Sequence, residues 1–114
     1  MKNLFLGIIL YILAQILTWF QMNSQFIFPW FKRNPLIVSI VGGTLISYIF
    51  IIATRIVAEQ YEGLLYPGRF IGFSVGIVVF GILTYFLMGE GINLKTLISL
   101  TLAFGIILIQ IYIK

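Results

Sequence analysis

The chain alternates between long apolar runs and short polar breaks. Four runs stand out, at about residues 3–22, 36–58, 64–88 and 94–113. The first, from Asn3 to Met22, ends at the polar Asn23-Ser24-Gln25. The second opens after Lys32-Arg33-Asn34-Pro35 at Leu36. It stays apolar to Thr54 and continues for a turn or so beyond Arg55. The third is opened by Tyr66-Pro67-Gly68 and runs from Leu64 to Met88. The fourth runs from Leu94 to Ile113. Each supplies the roughly 20 mostly apolar residues that a bilayer-crossing helix requires. In lipid a backbone must satisfy its own hydrogen bonds, so such runs predict helices. A transmembrane barrel would need alternating segments of about ten residues, and no such alternation is present. The expectation is a single all-α membrane domain over residues 1–114, with four transmembrane helices.

The breaks support that reading. Between the first two runs lie Phe26, Phe28, Trp30 and Phe31, with Pro29 and Pro35 as punctuation. Aromatic rings of this kind anchor at membrane interfaces. Lys2 gives the first run a basic start. That run is longer than a signal-peptide core, and no small-residue cleavage pattern follows, so it reads as a retained span.

Composition sharpens the class. The chain has 114 residues, 61% hydrophobic and 9% charged. A soluble domain carries about a quarter charged residues, so this one cannot cover a soluble surface. There is no Cys and no His, which leaves out thiol chemistry, disulfides and the usual zinc sites. Three acidic residues do not make a carboxylate metal cage. No cofactor is expected. The net charge of +4 is spread thinly, without the basic patch of a nucleic-acid binder. No nucleophile is matched with a base of the needed type, so catalysis is not expected. With four spans both termini share a side. Lys2, Arg55 and Lys114, with Arg69 nearby, face Lys32, Arg33 and Lys95 on the other. That near tie gives the positive-inside rule little to act on and leaves insertion in both orientations open. The expected location is a plasma or bacterial-type inner membrane, multi-pass.

Two stretches carry a resemblance. "ILAQ" (Ile12 to Gln15) is similar to the "ILAE" of the first helix in the small multidrug resistance family. "SVGIVVFGILTYFLMGEGINLKTL" (Ser74 to Leu97) resembles that family's third helix and its step into the fourth, with Gly89-Glu90 in place of its Gly-Glu or Gly-Gln pair. The family belongs to the wider drug/metabolite transporter superfamily. The resemblance covers nearly the whole chain. It implies a transporter built as a homodimer, antiparallel where both orientations insert, with helices one to three lining a cavity and helix four joining the protomers. It also implies a hinge in helix three. Two departures stand out. The family's first-helix glutamate carries protons and competes with cationic drugs, and Gln15 stands in its place. Arg69 falls where the family has a pocket tyrosine. An amide with an arginine implies an anionic or zwitterionic substrate, or a lipid phosphate, without the usual proton coupling.

The residues themselves leave alternatives open. Gln15 shares a helical stripe with Thr18, Met22 and Gln25, so this face should turn from lipid toward protein or water. Gln15 either bonds across to another helix, worth about 0.6–2 kcal/mol, or contacts a substrate. Arg69 either snorkels to headgroups or holds an anion through its planar fork, with Glu59 or Glu62 as possible counter-ions. Arg55 and Glu59 are spaced to pair, and Glu90 sits near Lys95. Tyr11, Trp19, Tyr48 and Tyr85 are candidate cavity aromatics or packing groups. Gly72 and Gly76 form a G-x-x-x-G that permits close helix approach. Gly42-Gly43 invites the same reading. On helix four, Ser99 with Ala103 and Thr101 with Gly105 are small pairs suited to packing or to a dimer seam.

The function expected is therefore a small transporter of the drug/metabolite type. The alternatives are a lipid-linked-sugar flippase subunit and a non-transporting membrane interaction or accessory protein.

Overall fold

A computed structural model describes residues 2–113. Helix α1 spans Lys2–Asn23, followed by a single 3-10 turn at Ser24–Phe26 and a short helix α2 at Pro29–Arg33. Helix α3 is Pro35–Gln60, α4 is Tyr66–Met88 and α5 is Leu94–Tyr112. All of α1, α3, α4 and α5 are long and apolar enough to cross a membrane. At 1.5 Å per residue the shortest of them, 19 residues long, reaches about 28 Å. No strand occurs among the described residues. The four-run pattern thus gives a four-helix, all-α chain suited to a multi-pass membrane protein.

Local chemistry fixes the boundaries. Pro29, Pro35 and Pro67 sit in the first turns of α2, α3 and α4, where the missing N–H costs nothing. Asn93 caps α5 by accepting from the Thr96 N–H at 2.8 Å. Two successive left-handed residues, Glu62 (φ 58°) and Gly63 (φ 83°), turn the chain from α3 toward α4. The N–H of Gly63 closes that turn on the Ala58 carbonyl at 2.8 Å. Gly89, also left-handed, ends α4. The short α2 is an addition to the sequence expectation. Its five residues, opened by Pro29 and followed by Pro35, give the aromatic connector a helical core.

Helix α1 is the centre of the assembly. Its buried Leu4, Gly7, Tyr11 and Ala14 recur at spacings of three and four. They meet a matching stripe of Ile46, Ala53 and Val57 on α3. Both stripes follow the seven-residue spacing of a left-handed helix pair. On its other side α1 packs along α4, where Ile71, Val75 and Val79 complete the core. Helix α5 lies against α4 alone, except at one end. There the Tyr61 hydroxyl donates to the Gln110 carbonyl at 2.9 Å, and burial pushes the phenol pKa up. Leu100 of α5 fills the space beside Gly81. Ala103, one turn further, is the one buried residue of α5.

One position of the expected α5 seam and the expected charge pairs come out differently, while Ser99 and Gly105 stay open to a neighbour. Ala103 is buried within its own chain, 2% exposed, so it is not free to form a seam between copies. Ser99 is exposed and its hydroxyl turns back to the Lys95 carbonyl, while a side chain at Gly105 would meet open space. The expected charge pairs do not form among the described residues: Arg55, Glu59, Glu90 and Lys95 are all exposed without an ion pair. The whole chain makes a slab of 46 × 35 × 19 Å.

Candidate functional site

Helix α4 carries glycine at every fourth position from Gly68 through Gly72 to Gly76. This stripe faces α1 and leaves a groove in which two α1 side chains lie. The Tyr11 ring lies over Gly68 and Gly72, so close that a Cβ at Gly72 would come within 3.1 Å of it. The Gln15 amide lies over Gly76, where a Cβ would sit 2.7 Å from it. The sequence showed Gly72 and Gly76 as a close-packing pair. It gave no sign that Gly68 extends the stripe by another turn, because Gly68 looks like part of the Pro67-Gly68 turn.

The Gln15 amide N–H donates to the Gly72 main-chain carbonyl at 3.2 Å. That carbonyl can only accept, so the amide must present its nitrogen there. Its oxygen, Oε1, accepts no hydrogen bond among the described residues and is not sealed off. It is left to face an occupant. One turn away, the Tyr11 hydroxyl lies 3.0 Å from the Thr54 hydroxyl of α3.

These groups line one cavity of about 430 Å³ between α1, α3 and α4. Tyr11, Gln15 and Thr54 supply its inner polar surface, and Gly68 and Gly72 its floor. Phe50 and Phe73 form apolar walls. Arg69 and Leu65 stand at the mouth. A further space of about 320 Å³ continues past Gln15 and Phe73 along Gly76 toward Phe80. Arg69 is exposed, and among the described residues neither Glu59 nor Glu62 pairs with it. Its five N–H donors remain available. The cavity therefore offers a fixed cation at its mouth, hydroxyls along its wall and one carbonyl acceptor at its inner end. The volume lies within the range of small-molecule sites.

Other candidates lie elsewhere. Trp19 is buried, and its indole N–H donates to the Thr84 hydroxyl at 3.0 Å. It ties α1 to α4 instead of lining the cavity. Thr18 donates to the Ala14 carbonyl of its own helix at 2.8 Å and is likewise not a wall residue. Tyr48 is 65% exposed on α3, away from the cavity. The supposed polar stripe of α1 breaks after Gln15, since Met22 and Gln25 face outward. Its last turns instead press Gln21 onto Gly42 of α3, with the Gln21 amide oxygen left unpaired, and the 3-10 turn that follows buries Ser24. Thr54, Phe50, Phe73 and Gly68 are the wall and floor residues that the sequence did not single out. Thr54 could have been noticed as a hydroxyl in an otherwise apolar turn.

No family model matches the chain, and no curated protein or solved structure matches it.

Proposed function

We propose that the chain is a small membrane transporter of the drug/metabolite type, working on an anionic or zwitterionic substrate or a lipid phosphate. One observation carries this reading: Arg69 and Gln15 line the same cavity, one with unpaired cationic donors and the other with an unpaired acceptor. An anionic group would take the guanidinium fork at the mouth. A hydroxyl or ammonium on the same molecule would donate to Gln15 Oε1. The exposed Phe73 and Leu65 favour a substrate with an apolar part, because the cavity reaches the lipid-facing surface there.

A glutamine amide does not titrate in the ordinary pH range, so proton coupling through this position is not part of the proposal, nor is catalysis. The slab is 19 Å thin, too thin to enclose a pathway, which supports a dimer as the working unit. The resemblance to the small multidrug resistance family points the same way.

The test is binding and uptake in proteoliposomes with a panel of organic carboxylates, sulfonates and phosphate esters, set against quaternary ammonium cations. Saturable uptake of an anion, lost in Arg69→Ala, is the expected result. A preference for quaternary ammonium cations, or anion uptake indifferent to Arg69→Ala, would overturn the assignment. A non-transporting accessory role is the second reading, favoured by the nearly uncovered face of α5. It predicts no uptake and a stable hetero-complex through that helix.

A further inference from the structure

A second cavity lies at the opposite end of the molecule from Arg69. It is a groove of about 470 Å³ between the end of α1, the short helix α2 and the start of α3. Its walls are almost wholly apolar: Leu17 and Phe20 from α1, Phe28 and Phe31 from the connector, Val41 and Leu45 from α3. Unlike the first cavity it has only two polar side chains besides Trp30 in its lining, Gln21 and Ser24, both from the end of the first span and the turn after it. Gln21 borders it, but its amide oxygen is buried against Gly42 and out of reach. The predominance of apolar walls favours an apolar occupant over a polar solute.

Its mouth has a different character. Lys32 and Arg33 follow Phe31 directly and form the last turn of α2. Both are exposed, and neither pairs with a carboxylate among the described residues. Two of the three acidic residues, Glu59 and Glu62, lie at the other end of α3. Trp30, half exposed at the same mouth, has an indole N–H with no partner among the described residues. An apolar slot lined by Trp30 and Phe31, with two cations next in the chain, has the layout of an amphiphile.

We infer that this groove holds an acyl chain of an anionic phospholipid, with the phosphate at Lys32 and Arg33. The charge complement decides the headgroup: two adjacent cations without counter-ions attract an anionic surface. The apolar walls decide the chain, because filling them removes lipid-chain voids at the helix junction. A second copy in the same orientation would bring only Glu90 to this end of the spans; an inverted copy would bring Glu59 and Glu62, and then Trp30 would be shielded from both lipids.

Trp30 reports on the site, since Trp19 is only 2% exposed and sealed beside Thr84. The full-length protein is reconstituted in phosphatidylcholine vesicles containing increasing amounts of phosphatidylglycerol, with one or the other lipid dibrominated on its acyl chain. Tryptophan quenching then gives the relative occupancy of the two lipids. The expected result is a preference for phosphatidylglycerol of at least about fivefold, the contribution of one basic residue near an anionic headgroup. Lys32→Gln with Arg33→Gln should reduce it to near parity. Val41→Phe, which narrows the groove at an exposed position, should lower quenching by both lipids. Trp30→Phe should leave only the weak background of Trp19.

Equal quenching by the two lipids in the unsubstituted chain would overturn the inference, as ordinary boundary lipid behaves that way. A preference that survives loss of both cations would overturn it too. Quenching unaffected by Val41→Phe would mean that the headgroup is attracted but no chain enters the groove. Trp30 shielded from both lipids would mean that protein covers the groove. All four substituted positions are exposed, and monodisperse, helical variants keep each outcome interpretable.

Discussion

The Gln15 side chain donates to the Gly72 carbonyl at 3.2 Å, joining α1 to α4 at the inner end of the cavity. An amide in an apolar helix is tolerated because this carbonyl takes its N–H, while its oxygen keeps an opening to the cavity. Substitution Gln15→Leu preserves much of the bulk over Gly76 and removes the bond. The expected loss of stability is about 1 kcal/mol, the usual worth of a hydrogen bond between membrane helices. Unfolding in mixed micelles with rising SDS would measure it. An unchanged midpoint would mean that the amide does not hold the helices together.

The glycine stripe sets how closely α1 and α4 approach. Gly76→Ala places a methyl against the Gln15 amide, and overpacking of this kind costs about 1–3 kcal/mol. Shortening the opposing side chain should relieve it. Gln15→Ser combined with Gly76→Ala is expected to recover part of that loss, with a coupling energy above about 0.5 kcal/mol. Additive effects in the double-mutant cycle would contradict the contact.

Trp19 illustrates how an aromatic that looks like a cavity wall serves as a strut. Its ring is buried and its N–H goes to Thr84. Thr84→Val leaves that indole donor buried and unpaired, at a cost of about 1–3 kcal/mol. Substrate binding should not change in the same variant, since neither residue lines the cavity. A variant that kept its stability but lost binding would return Trp19 to the site.

The four spans were legible because lipid imposes a length and a composition on each helix. The starts of α3 and α4 were legible from Pro35 and Pro67, whose backbone preferences act locally, whereas the Asn93 cap and the left-handed Gly89 were not read. Which face of each helix turns inward was harder to read. In a soluble helix the polar face marks the outside. Here Ile, Leu and Phe point both to the core and to lipid, so hydrophobicity carries no directional signal. Gln15 could be placed because an amide avoids lipid, and Gly72 and Gly76 because close approach needs small residues. Thr18 misled, since a hydroxyl can satisfy itself on the carbonyl one turn back and then needs no inward partner. Tyr48 misled because a phenol on a lipid-facing surface is as acceptable as one in a cavity. Arg69 could be read as snorkelling or as binding, and both readings accord with an exposed guanidinium at the mouth of a pocket.

Arg69 separates stability from recognition. It is exposed and makes no ion pair within the described chain, so Arg69→Ala should change stability by no more than about 0.5 kcal/mol. If it grips an anion, losing it removes charge-assisted hydrogen bonds worth about 1.5–3 kcal/mol, or roughly tenfold to a hundredfold in affinity. Arg69→Lys keeps the charge but not the planar fork. It should recover part of the binding of a monovalent carboxylate and less of a bidentate sulfonate or phosphate. Calorimetric titration of the three forms, with unfolding measured on the same samples, separates these effects. A large stability loss in Arg69→Ala would place the guanidinium in the architecture. Full recovery by Lys for every anion would reduce its part to a diffuse attraction at the membrane surface.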